Sequence, residues 1–139
     1  MPILIAESDE QVRACFPVVA ELRPHLTQTD FCERVKRQQQ QGYCLAFLQV
    51  DNEVKSIAGY RIGEFLAWGK ILYIDDLATL SNTRGQGYAR QLLDWLKEQA
   101  KLAQCDQIHL DSGYQRHDAH RLYLNYGFRL SSHHFAFKI

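Results

Sequence analysis

Apolar positions along this chain recur with two periods, one marking strands and the other helices. Ile3 and Ile5 mark a first strand, and Ser8-Asp9-Glu10-Gln11 follows as a capping box that opens a helix. Val12, Phe16, Val19 and Leu22 give that helix an apolar stripe, and Pro24 ends it. Phe31 and Val35 predict a second helix from about Asp30 to Gln40, stopped by Gly42. Two β-prone runs, 43–50 and 54–65, flank Asp51-Asn52-Glu53 and predict an antiparallel hairpin, with Trp68-Gly69 marking the next reversal. From Lys70 onward, Ile71-Leu72-Tyr73-Ile74-Asp75-Asp76-Leu77-Ala78-Thr79 reads as a central strand, apolar except for two adjacent carboxylates. A glycine-rich turn then leads into a helix with Ala89, Leu92, Leu93, Leu96 and Ala100 on one face. Beyond it, 108–111 reads as a buried strand, parallel to the central one because a crossover helix separates them. A short helix, 118–126, has Ala119, Leu122, Tyr123 and Tyr126 on one side and Gly127 as its stop, and 128–131 and 134–139 are predicted as final strands. No repeat or linker interrupts this order. The expected fold class is α/β, a central mixed β-sheet flanked by helices, in a single domain over residues 1–139.

Composition narrows the classes of function. A length of 139 residues, 46% of them hydrophobic and 23% charged, suits one domain with one core. Sixteen basic residues balance sixteen acidic ones, so no global field attracts nucleic acid or an anionic membrane, and neither is an expected partner. No apolar run approaches membrane-spanning length, and the expected location is cytoplasmic. Cys15, Cys32, Cys44 and Cys105 are far apart in sequence, as suits reduced, buried thiols, and the histidines lack the paired spacing of a metal site.

The turn Arg84-Gly85-Gln86-Gly87-Tyr88-Ala89 carries the clearest chemistry. A helix start presents unpaired backbone N–H groups and the positive end of the macrodipole, and glycines let a phosphate approach the backbone closely. Taken alone, Gly85 and Gly87 could simply permit a tight strand-to-helix connection. The spacing matches neither a P-loop nor a dinucleotide turn: there is no Gly-Lys-Ser/Thr, and Arg90 stands where the third glycine would be.

These residues resemble the Arg/Gln-x-x-Gly-x-Gly/Ala signature of the GCN5-related N-acetyltransferases (GNAT). Downstream, Ala119-His120-Arg121-Leu122-Tyr123-Leu124-Asn125-Tyr126-Gly127-Phe128 is similar to the family's Ala-x-x-x-Tyr-x-x-x-Gly-Phe element. The likeness covers Lys70 to the C-terminus well and the first half only in its order of elements, with compact polyamine-type enzymes as the nearest look-alikes. It implies a GNAT-like acyl-CoA N-acyltransferase fold, acetyl-CoA as cosubstrate with no metal, and acetyl transfer to an amine of a small molecule or protein. It further implies that Leu77, Ala78 and Thr79 pair through their backbone with the acetyl carbonyl and pantetheine arm. Gly85, Gln86, Gly87, Tyr88, Ala89 and Arg90 then receive the pyrophosphate, with Arg84 adding charge. Tyr123 takes the place of the general acid that protonates the departing thiolate, and a phenol of pKa about 10 suits a leaving thiol near about 8.5. Asp75 stands where the family's glutamate base is usual. Strand alternation sends Asp75 and Asp76 to opposite sheet faces; a water bridge, a substrate-binding role, an ion pair with a nearby Arg or Lys, and Glu64 as base all stay open. Arg116 replaces an asparagine common in relatives. The amine is expected to attack the thioester directly, with no covalent cysteine step through Cys105. A non-catalytic CoA-binding sensor or partner-binding module is the alternative, and a homodimer is left open.

Overall fold

The computed structural model describes residues 2–139. Its elements are β1 (Ile3–Ile5), α1 (Asp9–Leu22), α2 (Gln28–Gln39), β2 (Cys44–Val50), β3 (Glu53–Phe65), β4 (Gly69–Thr79), a 3₁₀ turn (Ser81–Thr83), α3 (Tyr88–Leu102), β5 (Gln107–Leu110) and α4 (His117–Tyr126). The strands form one mixed sheet in the order β1-β2-β3-β4-β5, with the first four antiparallel to their neighbours. The chain divides into two compact units, one ending at His109 and the other spanning Leu110–Ile139.

Local chemistry explains most boundaries in the first unit. The Ser8 hydroxyl accepts from the Gln11 N–H, and the Gln11 side chain accepts from the Ser8 N–H, so both ends of the capping box are made. The Thr27 hydroxyl caps α2 by accepting from the Asp30 N–H, and the helix begins at Gln28, two residues ahead of the predicted start. Asp51 and Asn52 both adopt positive φ, as a two-residue hairpin with type I′ geometry requires. Val12, Val19, Phe31 and Val35 from the two N-terminal helices pack with Leu45, Phe47 and Ile57 on one face of the sheet. On the other face, Leu92, Leu93 and Leu96 of α3 are buried and Trp95 meets Tyr60 edge-on.

The second unit holds α4, which ends at Gly127 with φ +117 as its glycine predicts. Ala119, Leu122, Tyr123 and Tyr126 are half-buried along one stripe. Residues 128–139 form no strand, contrary to the expectation of two strands at 128–131 and 134–139. Alternation marks only which side chains share a face; a strand also needs a hydrogen-bonded neighbour.

Candidate active site

At the end of β4 the chain passes through the 3₁₀ turn into Arg84–Gly87 and then α3. Glu21, near the end of α1, fixes this passage: its carboxylate accepts from the Ser81 N–H (2.9 Å) and the Ser81 hydroxyl (3.2 Å). Gly85 and Gly87 have φ of +83° and +80°, where any Cβ would be strained, and the space in front of each is open. α1 and α2 each begin under a side-chain cap, whereas α3 begins at Gly87 with none. Its first-turn N–H groups and its dipole are therefore available to an anion, as a phosphate site needs. Arg84 and Arg90 are exposed beside this start, with Gln86 exposed between the glycines and Tyr88 and Ala89 half-buried in the first turn.

The adjoining end of β4 offers a second feature. Leu77, Ala78 and Thr79 pair with Ala58, Ile57 and Ser56 of β3. The buried Ser56 hydroxyl adds a bond to the Ala78 carbonyl (2.9 Å) and another shared with the Thr79 hydroxyl (2.8 Å). On the opposite edge, β5 begins beside Lys70, where the Asp106 N–H donates to the Lys70 carbonyl. Its four residues flank only part of the eleven in β4. The Leu77–Thr79 backbone thus keeps an edge that β5 does not reach.

The two carboxylates are not arranged as simple alternation predicts. Gly59 pairs with Asp76 and Tyr60 with Ile74, so Asp75 is an extra residue, a β-bulge that shifts the phase of the strand. Both carboxylates consequently lie on the face covered by α1 and α2. Arg61 grips Asp75 with Nε at 3.1 Å from each oxygen and a terminal nitrogen at 2.6 Å, and that nitrogen also donates to Gln38 (2.8 Å). Asp76 accepts from the Tyr43 hydroxyl (2.8 Å) and from Arg23 (3.1 and 3.2 Å), which also donates to the Asp75 carbonyl. The Arg61 guanidinium lies 5.3 Å from the Tyr43 ring centroid, joining the two halves of the network. Burial pushes the Asp75 carboxyl upward more than Arg61 pulls it down. Burial, reinforced by the Asp76 charge, pushes the Tyr43 hydroxyl well above its usual range.

Around Asp76 lies a cavity of about 160 Å³, lined also by Tyr43, Gln38, Arg23, His25 and Arg34. Glu64 stands apart, at the far end of the β3–β4 hairpin opposite Lys70. Tyr123 packs against Phe128, and burial raises its hydroxyl while Arg116 draws it down. Arg116 itself precedes α4 without making a side-chain cap. Cys105 is a free thiol past the C-terminus of α3, and no cluster of metal-ligating side chains occurs among the described residues. No helix among them is long and apolar enough to cross a membrane. Sequence reasoning singled out the carboxylates and the turn but missed Arg23, Gln38, Tyr43, Gly59 and Arg61. The available signal was Arg61 itself, a cation in the middle of β3 between the apolar Tyr60 and Ile62.

The family described as "Acetyltransferase (GNAT) family" matches residues 7–128. An uncharacterized N-acetyltransferase of Bacillus subtilis is 32% identical over 130 residues, 92% of each chain. An aminoalkylphosphonate N-acetyltransferase of Salmonella typhimurium is 41% identical over 64 residues, 46% of this chain and 40% of that one. The solved structure of an aminoglycoside N-acetyltransferase in complex with CoA superposes with a TM-score of 0.85 at 12% identity, over 99% of this chain and 95% of that one.

Proposed function

The chain belongs to the acetyltransferase (GNAT) family, and we propose that it moves the acetyl group of acetyl-CoA directly to a primary amine of a small molecule or protein. The observation that carries this reading is the α3 start: two positive-φ glycines with open space before them and a helix end that no side chain caps. Residues of this kind fit a pyrophosphate, and the family uses acetyl-CoA. The match over residues 7–128 spans both compact units, which supports one N-acetyltransferase domain over 1–139. A cytoplasmic location accords with the neutral charge balance and the unpaired cysteines.

Acetyl-CoA supplies an activated acyl group. The N–H groups from Gly85 to Arg90, with Arg84, hold its pyrophosphate, and the free backbone edge of Leu77–Thr79 holds the acyl arm. Asp75 accepts the amine proton, directly or through a water, and its burial favours a carboxyl that takes up protons above the ordinary aspartate range. Tyr123 is a phenol that keeps its proton at neutral pH, all the more because burial raises it, and it donates that proton as the thiolate departs. Cys105 has no role in this scheme.

Isothermal titration with acetyl-CoA tests the reading. The native chain should bind, and Gly87→Leu, which forces a branched side chain into left-handed backbone and fills the cradle, should abolish binding without unfolding the protein. A native chain that does not bind overturns the proposal. Tyr123→Phe should lower kcat by about 10²-fold or more while leaving acetyl-CoA affinity near native, the split expected of a proton donor. Binding without release of CoA in the presence of any amine would instead identify a CoA-binding module.

A further inference from the structure

We propose that the cavity above Asp76 selects a small acceptor carrying an anionic group, a carboxylate or phosphonate, a short distance from the amine that is acetylated. This rests on the acetyltransferase reading and names its substrate class. The cavity lies against β4 one residue before Leu77, beside the backbone edge assigned to the acyl arm, and it is lined on its other sides by α1, α2 and the connection between them. Its volume of about 160 Å³ is that of roughly five liquid-water molecules at about 30 Å³ each, which suits a small acceptor.

The charges follow an order. On the sheet side, Arg61 neutralises Asp75 and Arg23 neutralises Asp76, while Tyr43 occupies the other Asp76 oxygen. What remains is Arg34, a cation exposed on α2 with no ion-pair or hydrogen-bond partner among the described residues, and beside it the imidazole of His25, exposed in the connection before α2 and able to donate a ring N–H. A guanidinium not engaged by protein offers a planar fork of donors that matches a carboxylate or phosphonate. A polycation such as a diamine would bring positive charge to Arg23 and Arg34 and gain only from Asp76, which is already paired. A plain alkylamine would leave Arg34 without a partner. An amine linked to an anion satisfies both ends: the anion meets Arg34 and His25, and the ammonium meets Asp76 before it loses its proton. The charge pattern therefore disfavours a polyamine acceptor, the class that the resemblance to compact polyamine-type enzymes would imply.

Four acceptors of similar length separate the possibilities: 3-aminopropylphosphonate, 4-aminobutanoate, butylamine and 1,4-diaminobutane. With the native full-length chain and saturating acetyl-CoA, the two anionic amines should give kcat/KM values at least about tenfold above butylamine, the diamine being poorest, since one charge-assisted hydrogen bond is worth about a decade in binding. Whichever anion leads identifies the group the site takes. Arg34→Gln should narrow that advantage through KM, and Arg34→Lys should restore part of it. Equal kcat/KM for butylamine and the anionic amines, a preference for the diamine, or an advantage untouched by Arg34→Gln would each overturn the proposal. If acetyl-CoA binds but no amine turns over, calorimetric titration of 3-aminopropylphosphonate into the native and Arg34→Gln proteins decides the same question: binding lost in the variant supports it, and no binding to the native chain overturns it. Failure of acetyl-CoA itself to bind is a separate result and sinks only the acetyltransferase reading.

Discussion

A methyl group at position 59 would collide with the Tyr43 hydroxyl and sit 2.8 Å from an Asp76 oxygen, so the glycine makes the Tyr43–Asp76 hydrogen bond possible. Gly59→Ala should lower the stability measured by urea unfolding by about 1–3 kcal/mol, the usual cost of overpacking. Tyr43 also gives a pH signature. Its folded pKa lies well above the usual 10.0, so above pH 10 the unfolded chain loses this proton while the folded chain keeps it. Fewer protons on the unfolded state means that stability falls with rising pH there. Tyr43→Phe should flatten that alkaline decline, and an unchanged slope between pH 10 and 11 would refute the coupling. The adjacent aspartates on an apolar strand showed in the sequence that cationic partners were needed. Their identity did not, because Arg23 lies 53 residues from Asp76 and the bulge that turns both carboxylates to one face exists only in the pairing of β4 with β3.

Elements were legible where their ends are fixed by neighbours in sequence. The Ser8–Gln11 box, the Asp51-Asn52 turn and Gly127 all act within four residues, and each stands where the sequence places it. The final strands were misread because pairing is a non-local property that alternation alone does not secure. Between these cases lies the approach to α3, whose turn was plain from its glycines but whose anchor was not: Glu21 holds Ser81 from 60 residues away. Glu21→Ala frees the 3₁₀ turn that feeds the cradle. Losing its two exposed hydrogen bonds to Ser81, together about 1 kcal/mol, should weaken acetyl-CoA binding about fivefold by calorimetry, with little change in the urea midpoint. Equal binding would show that Arg84–Gly87 keeps its shape without this tether.

For the molecule as a whole, the cysteines report how the core opens. None is in a disulfide, and their environments differ: Cys15 is fully buried among Val12, Val18 and Val19, and burial pushes its thiol up to about 12, while Cys32, Cys44 and Cys105 are partly accessible. Only a thiolate reacts quickly with an alkylating reagent, and a thiol with that pKa inside a packed core has almost none to offer until the core separates. The face on which Cys15 lies is shared by α1, α2, β2 and β3, so exposing it requires breaking that packing together rather than fraying one helix. Alkylation of the native chain followed by peptide mass analysis should therefore modify Cys32, Cys44 and Cys105 early. Cys15 should label only at the rate of global unfolding, with the opening free energy equal to that from urea titration. Labelling of Cys15 at a much lower free energy would mean that α1 detaches on its own. The cavity it shares with α2 would then be a transient opening instead of a standing pocket, and the charges assigned to acceptor selection would have no fixed geometry in which to act.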